Sequence, residues 1–501
     1  MKKNNTKILE KRKRKIAKRL ERKQWESQPK PMFTASNIHY EIDGRHEGIA
    51  CGGIGAIHLM NKKTGFIDEI DSVLQLLKVH LPYHESDHVL NIAYNVIAGG
   101  TRLEDIELQR QNKAWLDALG AEIIPDPTTA GDFLRRFNEA DIIKLMEAAN
   151  KTRTKVWKRQ PKKFFEKAIL NVDGTIAGTT GECKEGMDIS YKGIWGYAPL
   201  IISLANTREP LYLINRPGNA PSHLDSSKWI DRSLDLVSDT FKEVWIRGDT
   251  DFSLTAHFDK WDKRCKFVFG IDAMKNLVSI ADTIPEEQWT ILERKPKYKV
   301  KTKKRRRPEN VKERIIKERG YKNIRTVSEH VAEFDYRPGK CKKTYRVVVL
   351  RKNLTVEKGD LALFDDIRYF FYITNDRSMT PQEVVYFAND RCDHENDIEQ
   401  LKNGVNAMRM PVDDLVSNWA YMVIATLAWN IKAWYGLLTP NKFLGHQIIR
   451  MEFKRFINTF IKIPCVIIKT GRRIVYRFVG YNNYLKDFFR TFAAIKSLKF
   501  Y

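Results

Sequence analysis

The chain has 501 residues, and its 87 Lys and Arg against 62 Asp and Glu give a formal net charge of +25. Its apolar content of 43% can fill a core, which excludes a globally disordered protein. No run of about 18 apolar residues occurs, which argues against a membrane-spanning helix. The positive charge favours a polyanionic partner, most simply nucleic acid, over charge kept for solubility alone.

The length corresponds to about three domains at the usual domain size. Six cysteines lie far apart without paired metal-ligand spacing. This spacing suits a reducing cytosol and argues against a disulfide framework or a cysteine-based zinc site. The basic N-terminus is not followed by an apolar block, so we do not expect a secretory signal.

The first segment, residues 1–35, is predicted to be a basic arm. Residues 1–31 hold thirteen Lys or Arg and three Glu. Such a segment is a solvated arm that becomes helical when it docks on phosphate, or a disordered tail.

Residues 36–160 have a mostly helical pattern and are predicted to form a DNA-binding domain. Ser86 opens an apolar run that closes at Gly99, a plausible helix end. Thr128 and Thr129 are typical helix caps, and a short helix after them carries Arg135 and Arg136. This helix is either a helix-turn-helix recognition element or an ordinary packing element.

From residue 161 the pattern changes to alternating strands and helices, which predicts an α/β fold. Apolar runs at 168–172, 200–204, 211–214, 244–247 and 266–270 read as strands, and 223–240 reads as a helix. Residues 161–285 are therefore the first part of an α/β core.

Residues 286–364 interrupt this alternation and are predicted to be a β-rich basic insertion. Ten of the fourteen residues from 294 to 307 are basic, and Arg305, Arg306 and Arg307 are candidate DNA contacts. The core resumes over residues 365–440, where Thr380 and Glu383 form a predicted capping box. Residues 441–501 are a basic, aromatic C-terminal segment in which Arg472 and Arg473 are further candidate DNA contacts.

Three acidic residues have the context of a catalytic metal site. Asp173 follows a buried strand within Asp-Gly-Thr, and Asp249 follows another within Arg-Gly-Asp. Carboxylates at strand ends of an open sheet meet where ligands bind. Glu395, on a later predicted helix, would complete the oxygen-rich cage that Mg²⁺ prefers.

Helix geometry places the third acid among cations. At 100° per residue, Arg391, Glu395, Glu399 and Lys402 would share one helix face. The alternative is a solvated helix stabilised by Glu–Lys pairs.

These motifs together resemble a family, the DDE transposases. The motifs are Asp-Gly-Thr from 173, Arg-Gly-Asp-x-x-Phe from 247, and Arg-x-x-x-Glu-Asn followed by Lys402. More narrowly, they resemble the insertion-sequence 1380-like family. The resemblance also covers residues 127–133, 196–200 and 216–219, and so spans most of the chain.

The resemblance implies a fold and a function. It implies a ribonuclease H-like catalytic core split by the β-rich insertion and preceded by the helical DNA-binding domain. It further implies a bacterial, cytoplasmic and nucleoid-associated transposase that binds terminal inverted repeats, cleaves at the element ends and joins the 3′-hydroxyls to target DNA. Synapsis of two ends implies a homodimer on double-stranded DNA, with no membrane partner.

By the same resemblance, Asp173, Asp249 and Glu395 match the metal-binding triad, which would hold two Mg²⁺ ions or Mn²⁺ in their place. Arg391 and Lys402 match the cations that grip DNA, and Asn396 lies beside Glu395 in the motif. Asp251 and Glu399 are rival ligands.

Two positions depart from the family pattern, because Ala388 stands where the family has Tyr and Asp251 stands where it often has Gly. Two other functions also remain open. One is a nuclease of the same fold without strand transfer, and the other is a domesticated, catalytically inactive DNA-binding protein.

Overall fold

The computed structural model describes residues 3–21, 35–181, 183–294, 311–358 and 361–499. The candidates Arg305, Arg306 and Arg307 lie outside the described residues. The described strands are β1 (Glu47–Ile49), β2 (Lys167–Gly174), β3 (Ala177–Gly178), β4 (Asp188–Ile189), β5 (Trp195–Tyr197), β6 (Leu200–Leu204), β7 (Glu209–Ile214), β8 (Glu243–Gly248), β9 (Lys266–Ile271), β10 (Thr290–Ile291), β11 (Lys322–Tyr336), β12 (Tyr345–Lys358), β13 (Leu361–Thr374), β14 (Cys465–Thr470) and β15 (Arg473–Phe478).

The described α-helices lie before, between and after these strands. They are α1 (Lys3–Leu20), α2 (Ile54–Thr64), α3 (Phe66–Val73), α4 (Glu85–Ala98), α5 (Ile106–Arg110), α6 (Lys113–Leu119), α7 (Pro127–Leu134), α8 (Glu139–Trp157), α9 (Ser226–Ser238), α10 (Thr255–Trp261), α11 (Lys275–Asp282), α12 (Val311–Glu318), α13 (Pro381–Asn389), α14 (Cys392–Glu399), α15 (Leu415–Leu438), α16 (Lys442–Arg450), α17 (Phe453–Phe456) and α18 (Leu485–Lys496). The predicted α/β class is confirmed.

Nine strands form one mixed sheet, in the order β10-β11-β12-β13-β9-β8-β2-β6-β7. β2 is parallel to β8, and β8 is parallel to β9, whereas β2–β6 and β6–β7 are antiparallel. β2 lies inside the sheet with Ala168, Leu170, Asn171 and Val172 buried. Burial on both faces explains why this strand reads as a continuous apolar run rather than an alternating one.

The segment predicted as an insertion extends this same sheet. The long strand β12 pairs antiparallel with β11 on one side and with β13 on the other. β13 also pairs with β9 through residues 371–374. The predicted boundary between residues 364 and 365 falls inside β13, which runs without a break into the part predicted as core.

Local capping signals set several helix starts. The Thr380–Glu383 capping box is present, with Pro381 at the first position of α13. The predicted Thr cap before α7 is wrong, because Asp126 caps this helix and accepts a hydrogen bond from Thr129 N at 2.8 Å. With Pro127 at the first helical position, the capping residue lies one place earlier, and the two threonines are inside the helix.

Helix α15 forms the centre of the main core. It is buried from Ser417 to Leu438 and packs against α4, α8, α16 and β7. None of the described helices is both long and apolar enough to cross a membrane.

Described segments near the N-terminus and near the C-terminus contact each other. Strand β1 pairs antiparallel with β14, which in turn pairs with β15. Arg12 of α1 donates hydrogen bonds to the carbonyls of Val479 and Gly480 at 3.1 and 3.2 Å. Segments that the sequence analysis treats separately therefore contact each other.

Candidate active site

The two candidate aspartates lie at the same edge of the sheet. Asp173 is the penultimate residue of β2, and Asp249 directly follows the parallel neighbour β8. Asp249 caps a short turn, and its Oδ1 accepts a hydrogen bond from Asp251 N at 3.1 Å. Because neighbouring parallel strands end side by side, the two carboxylates lie close together at this edge.

Arg391 brings the third acid to this pair. Its Nη1 lies 3.0 Å from Asp249 Oδ2 and 3.6 Å from Asp173 Oδ2. Its Nη2 lies 3.8 Å from Glu395 Oε1, one turn further along α14. One guanidinium thus contacts all three acids that the sequence analysis singled out.

Burial dominates the electrostatics of this cluster. The side chain of Asp173 is 13% exposed, and burial raises its pKa to about 7 although Arg391 acts to lower it. Burial also raises the pKa of Asp249, again against the effect of Arg391. Although burial alone lowers the pKa of Arg391, the charges of Asp173 and Asp249 raise it overall. Burial therefore favours the neutral form of both aspartates, whereas Arg391 favours their charged form.

The two rival acids have different surroundings. Asp251 is exposed and touches the cluster through its backbone, by its hydrogen bond to Asp249. Glu399 is exposed, and its Oε1 accepts a hydrogen bond from Asn403. Arg391 makes ion pairs with Asp173, Asp249 and Glu395, whereas no described ion pair joins it to Asp251 or Glu399.

The expected helix face from Arg391 to Lys402 is not continuous. Arg391 is the residue before the first turn of α14, and the helix ends at Glu399. Residues Gln400–Gly404 form a π-helical turn, in which Gln400 Oε1 accepts a hydrogen bond from Phe453 N at 2.9 Å. The wider turn changes the direction of Lys402, so the calculation at 100° per residue fails beyond Glu399.

Lys402 nevertheless lies near the acids. It is half-buried, and desolvation lowers its pKa, while Glu399 and Asp173 act to raise it and Lys192 to lower it. Within the described residues its ammonium has no ion pair. Asn396 is exposed on α14.

The other predicted DNA contacts lie on different elements. Arg135, just after α7, is ion-paired with Asp132 at 3.1 Å and with Asp413 at 2.8 Å. Arg136 is exposed and lines a cleft of about 710 Å³. Arg472 and Arg473 are exposed at the turn between β14 and β15. None of these four has an ion pair with the three acids in the described structure.

Sequence analysis missed the residue that holds the start of α14. Arg247 of β8 is 5% exposed, and its Nε donates to Asn171 Oδ1 of β2 at 2.5 Å. Its Nη1 donates to Phe387 O at 2.9 Å and its Nη2 to Asp390 O at 3.3 Å, directly before Arg391. The Arg-Gly-Asp motif could have indicated this residue, since Arg247 is its first position.

A second anchor holds α14 from its other side. Asp397 is 3% exposed, and Arg208 Nη1 lies 3.3 Å from its Oδ1. Arg208 stands in the turn between β6 and β7, and its own carbonyl accepts from Trp429 Nε1 at 2.6 Å. No sequence pattern indicated this contact.

A cavity of about 380 Å³ adjoins the acids. Asp249, Arg391 and Glu395 line it on one side, and Ala388 and the 43%-exposed Phe370 line it on another. The small side chain at 388, where the family pattern has Tyr, contributes little bulk to this wall.

The donor set fits a hard divalent cation by residue type, because all three acids offer carboxylate oxygens. Within the described ranges, no three His, Cys, Asp or Glu side chains are close enough together to hold a metal ion. Arg391 lies among the three acids, so their carboxylates are spaced around a guanidinium group rather than around a metal ion.

Comparison with known proteins decides the family. A family model described as "Transposase DDE domain group 1" matches residues 30–500. The chain belongs to this family. The DDE transposase domain thus covers nearly the whole chain, and the predicted resemblance to DDE transposases is confirmed.

A solved structure is also similar to the chain, and its description reads "Cryo-EM structure of piggyBac transposase synaptic complex with hairpin DNA". The likeness has a TM-score of 0.37 and 11% identity, over 82% of this chain and 81% of that chain. No curated protein matches.

Proposed function

We propose that this DDE transposase is encoded by an insertion sequence of the 1380-like family. It binds the terminal inverted repeats, hydrolyses phosphodiester bonds at the element ends, and joins the freed 3′-hydroxyls to target DNA. The observation that carries the proposal is the meeting of Asp173, Asp249 and Glu395 on Arg391, in a chain of the DDE family.

The catalytic domain is a ribonuclease H-like core formed by β2, β6, β7, β8 and β9. The order β7-β6-β2-β8-β9 supports this assignment, as do two antiparallel pairs on one side of β2 and two parallel pairs on the other. Asp173 and Asp249 lie on the central strands of this set, at the edge where ligands of open sheets bind.

Asp173, Asp249 and Glu395 would hold two divalent cations, either Mg²⁺ or Mn²⁺. When bound, such ions would activate the attacking oxygen and stabilise the leaving oxygen of an in-line displacement. Asp173 and Asp249 would hold the ions from the rigid sheet. Arg391 and Lys402 hold oxygens of the reacting phosphate, since guanidinium and ammonium groups both bind phosphate. Asn396 contacts the DNA beside them.

The remaining basic surfaces hold the rest of the DNA. Residues 1–35 and 36–160, including Arg135 and Arg136, bind the element end. The basic residues 305–307 and the turn at Arg472 and Arg473 contact the DNA backbone. Two protomers bring two ends together in a synaptic complex.

The test is a paired-end assay with Mg²⁺ on DNA that carries the element's own ends. The wild-type chain should cleave the ends and join them to target DNA. Asp173→Asn, Asp249→Asn and Glu395→Gln should each lower cleavage at least a thousandfold, while DNA binding measured without divalent metal stays within threefold. The matched controls Asp251→Asn and Glu399→Gln should keep cleavage within tenfold of wild type.

Each alternative function has its own outcome. Cleavage without joining would favour a nuclease of this fold. Binding of the ends without cleavage would favour an inactive DNA-binding protein. Wild-type cleavage by Asp173→Asn would refute the assignment of the acids.

A further inference from the structure

The space among the three acids is filled by a cation that belongs to the protein. We infer that Arg391 is an internal counter-ion that excludes the divalent metal until a DNA phosphate draws its guanidinium away. DNA and metal would then bind cooperatively, with the DNA opening the metal site. The inference rests on the proposed function, because it takes the three acids to be the metal ligands.

Arg391 contacts the three acids as a single cation shared among them would. The same nitrogen, Nη1, lies 3.0 Å from an oxygen of Asp249 and 3.6 Å from an oxygen of Asp173. The other terminal nitrogen faces Glu395 at 3.8 Å. A guanidinium has only donors, so among three carboxylates it can act only as a positive charge.

A guanidinium and a metal ion cannot both occupy this position. Mg²⁺ requires oxygens at about 2.0–2.1 Å in near-octahedral geometry, so the acids must close around it. In the structure they are instead spaced around a group several ångströms across, and the described residues include no cluster of three metal-ligating side chains. Metal entry therefore requires Arg391 to leave.

Only one of the three acids holds Arg391 at close range. The contacts with Asp173 and Glu395, at 3.6 and 3.8 Å, are longer than hydrogen bonds, and only that with Asp249, at 3.0 Å, has hydrogen-bond length. Its side chain is 24% exposed and lines the cavity of about 380 Å³ beside the acids. Because Arg391 lines this cavity, the guanidinium has open space beside it into which it can move.

A DNA phosphate suits the guanidinium of Arg391 better than the three carboxylates do. Arginine binds phosphate through two parallel hydrogen bonds, a geometry that the three dispersed acids do not give it. Lys402, close to Asp173 and without an ion pair among the described residues, attracts a phosphate to the same place. Linkage then requires that DNA strengthens metal binding by the factor by which metal strengthens DNA binding.

Binding of Mn²⁺ to the full chain, measured by titration calorimetry without turnover, tests the inference. Wild type should bind Mn²⁺ weakly alone and at least tenfold more tightly with a short DNA duplex of arbitrary sequence. Arg391→Ala and the bulkier Arg391→Gln should bind Mn²⁺ at least tenfold more tightly than wild type without DNA. In both variants, the duplex should change the Mn²⁺ affinity less than threefold.

Lys402→Ala is the matched control, because it removes the same charge near Asp173 without emptying the space among the acids. It should raise the Mn²⁺ affinity less than threefold. An equal gain from Lys402→Ala and Arg391→Ala would overturn the inference, since net charge alone would then explain both. Unchanged Mn²⁺ affinity in folded Arg391→Gln would also overturn it.

Asp249→Asn separates this inference from the proposed function. Loss of Mn²⁺ binding in Asp249→Asn, with no gain in the Arg391 variants, would overturn the counter-ion role alone. Wild-type Mn²⁺ binding by Asp249→Asn would overturn the metal site itself, and with it both proposals. Thermal unfolding of each variant shows whether it is folded.

Discussion

Arg247 Nε donates a hydrogen bond to Asn171 Oδ1 at 2.5 Å, and both side chains are buried. The bond joins β8 to β2 close to the two aspartates at their ends. The terminal nitrogens of Arg247 continue to the carbonyls of Phe387 and Asp390, which precede Arg391. One side chain thus fixes the strands that carry two acids relative to the helix that carries the third.

We expect Arg247→Lys to lower DNA cleavage at least tenfold while DNA affinity stays within threefold of wild type. A lysine has one compact ammonium and cannot reach three acceptors in fixed directions, so α14 would shift relative to the strands. A shift of about 1 Å at a catalytic group can reduce the rate a hundredfold. Single-turnover cleavage and a gel-shift titration measure the two effects.

Arg368→Lys is the control for this substitution. Arg368 is half-exposed and pairs with Asp366 at 2.9 Å, and no described ion pair joins it to the three acids. It should cleave at the wild-type rate. Normal cleavage by folded Arg247→Lys would show that Arg247 does not position α14.

Protonation of Asp173 should make the free energy of unfolding depend on pH, and its raised pKa gives the direction of that dependence. Burial raises its pKa to about 7 in the folded chain, above the ordinary value of 3.8. The proton therefore stabilises the fold fully below about pH 4, and this stabilisation is lost as the pH rises through 7. Asn stays neutral at every pH. We expect the free energy of unfolding of Asp173→Asn, relative to wild type, to increase by about 2–3 kcal/mol between pH 5 and pH 8.

Denaturant unfolding at the two pH values, without divalent metal, measures this difference. The exposed Asp251→Asn variant should follow the wild-type profile. A difference between Asp173→Asn and wild type that is constant from pH 5 to pH 8 would contradict the raised pKa of Asp173.

Lys402 should contribute to DNA binding as one phosphate contact. Its side chain is half-buried and lacks an ion pair within the described structure, and desolvation lowers its pKa, so a phosphate would improve its surroundings. We expect Lys402→Ala to lower the slope of log affinity against log salt by about 0.9, the value for one lost contact. Fluorescence anisotropy at several salt concentrations gives the slope. Lys275→Ala, an exposed change on α11, should leave it unaltered.

Sequence alone selected those candidate residues that depend on local pattern. Asp173 and Asp249 became candidates because a buried strand has a readable composition and ends at a glycine-containing turn. The capping box at Thr380 was predicted because all of its partners lie within four residues. Glu395 became a candidate because of its sequence motif, since an exposed helical glutamate is not distinctive by itself.

The missing parts depend on contacts between distant segments. The meeting of Arg391 with three acids depends on how α14 packs against the sheet, and no local period encodes that packing. The turn at Gln400 is π-helical where its side chain bonds Phe453 N, more than fifty residues later. Pairing of β1 with β14 joins residues 47–49 to 465–467, a separation at which sequence pattern gives no register.

Glu209 should be among the residues most important for stability. It is fully buried on β7 and accepts hydrogen bonds from Arg153 Nε at 2.9 Å, Trp157 Nε1 at 3.1 Å and Trp434 Nε1 at 2.7 Å. Arg153 is also fully buried, so its charge has no water to stabilise it if the carboxylate is removed. Glu209 therefore joins α8, α15 and β7 through one charge-paired group.

We expect Glu209→Gln, which keeps the volume, to lower the free energy of unfolding by about 3–5 kcal/mol, because it leaves the Arg153 charge buried and unpaired. Glu166→Gln is the matched control, since Glu166 pairs with Lys242 at 2.7 Å where both side chains are more than half exposed. That change should alter the free energy of unfolding by at most about 1 kcal/mol. Urea unfolding of both variants gives the comparison. Equal losses would show that the buried pair stabilises the fold no more than a surface ion pair.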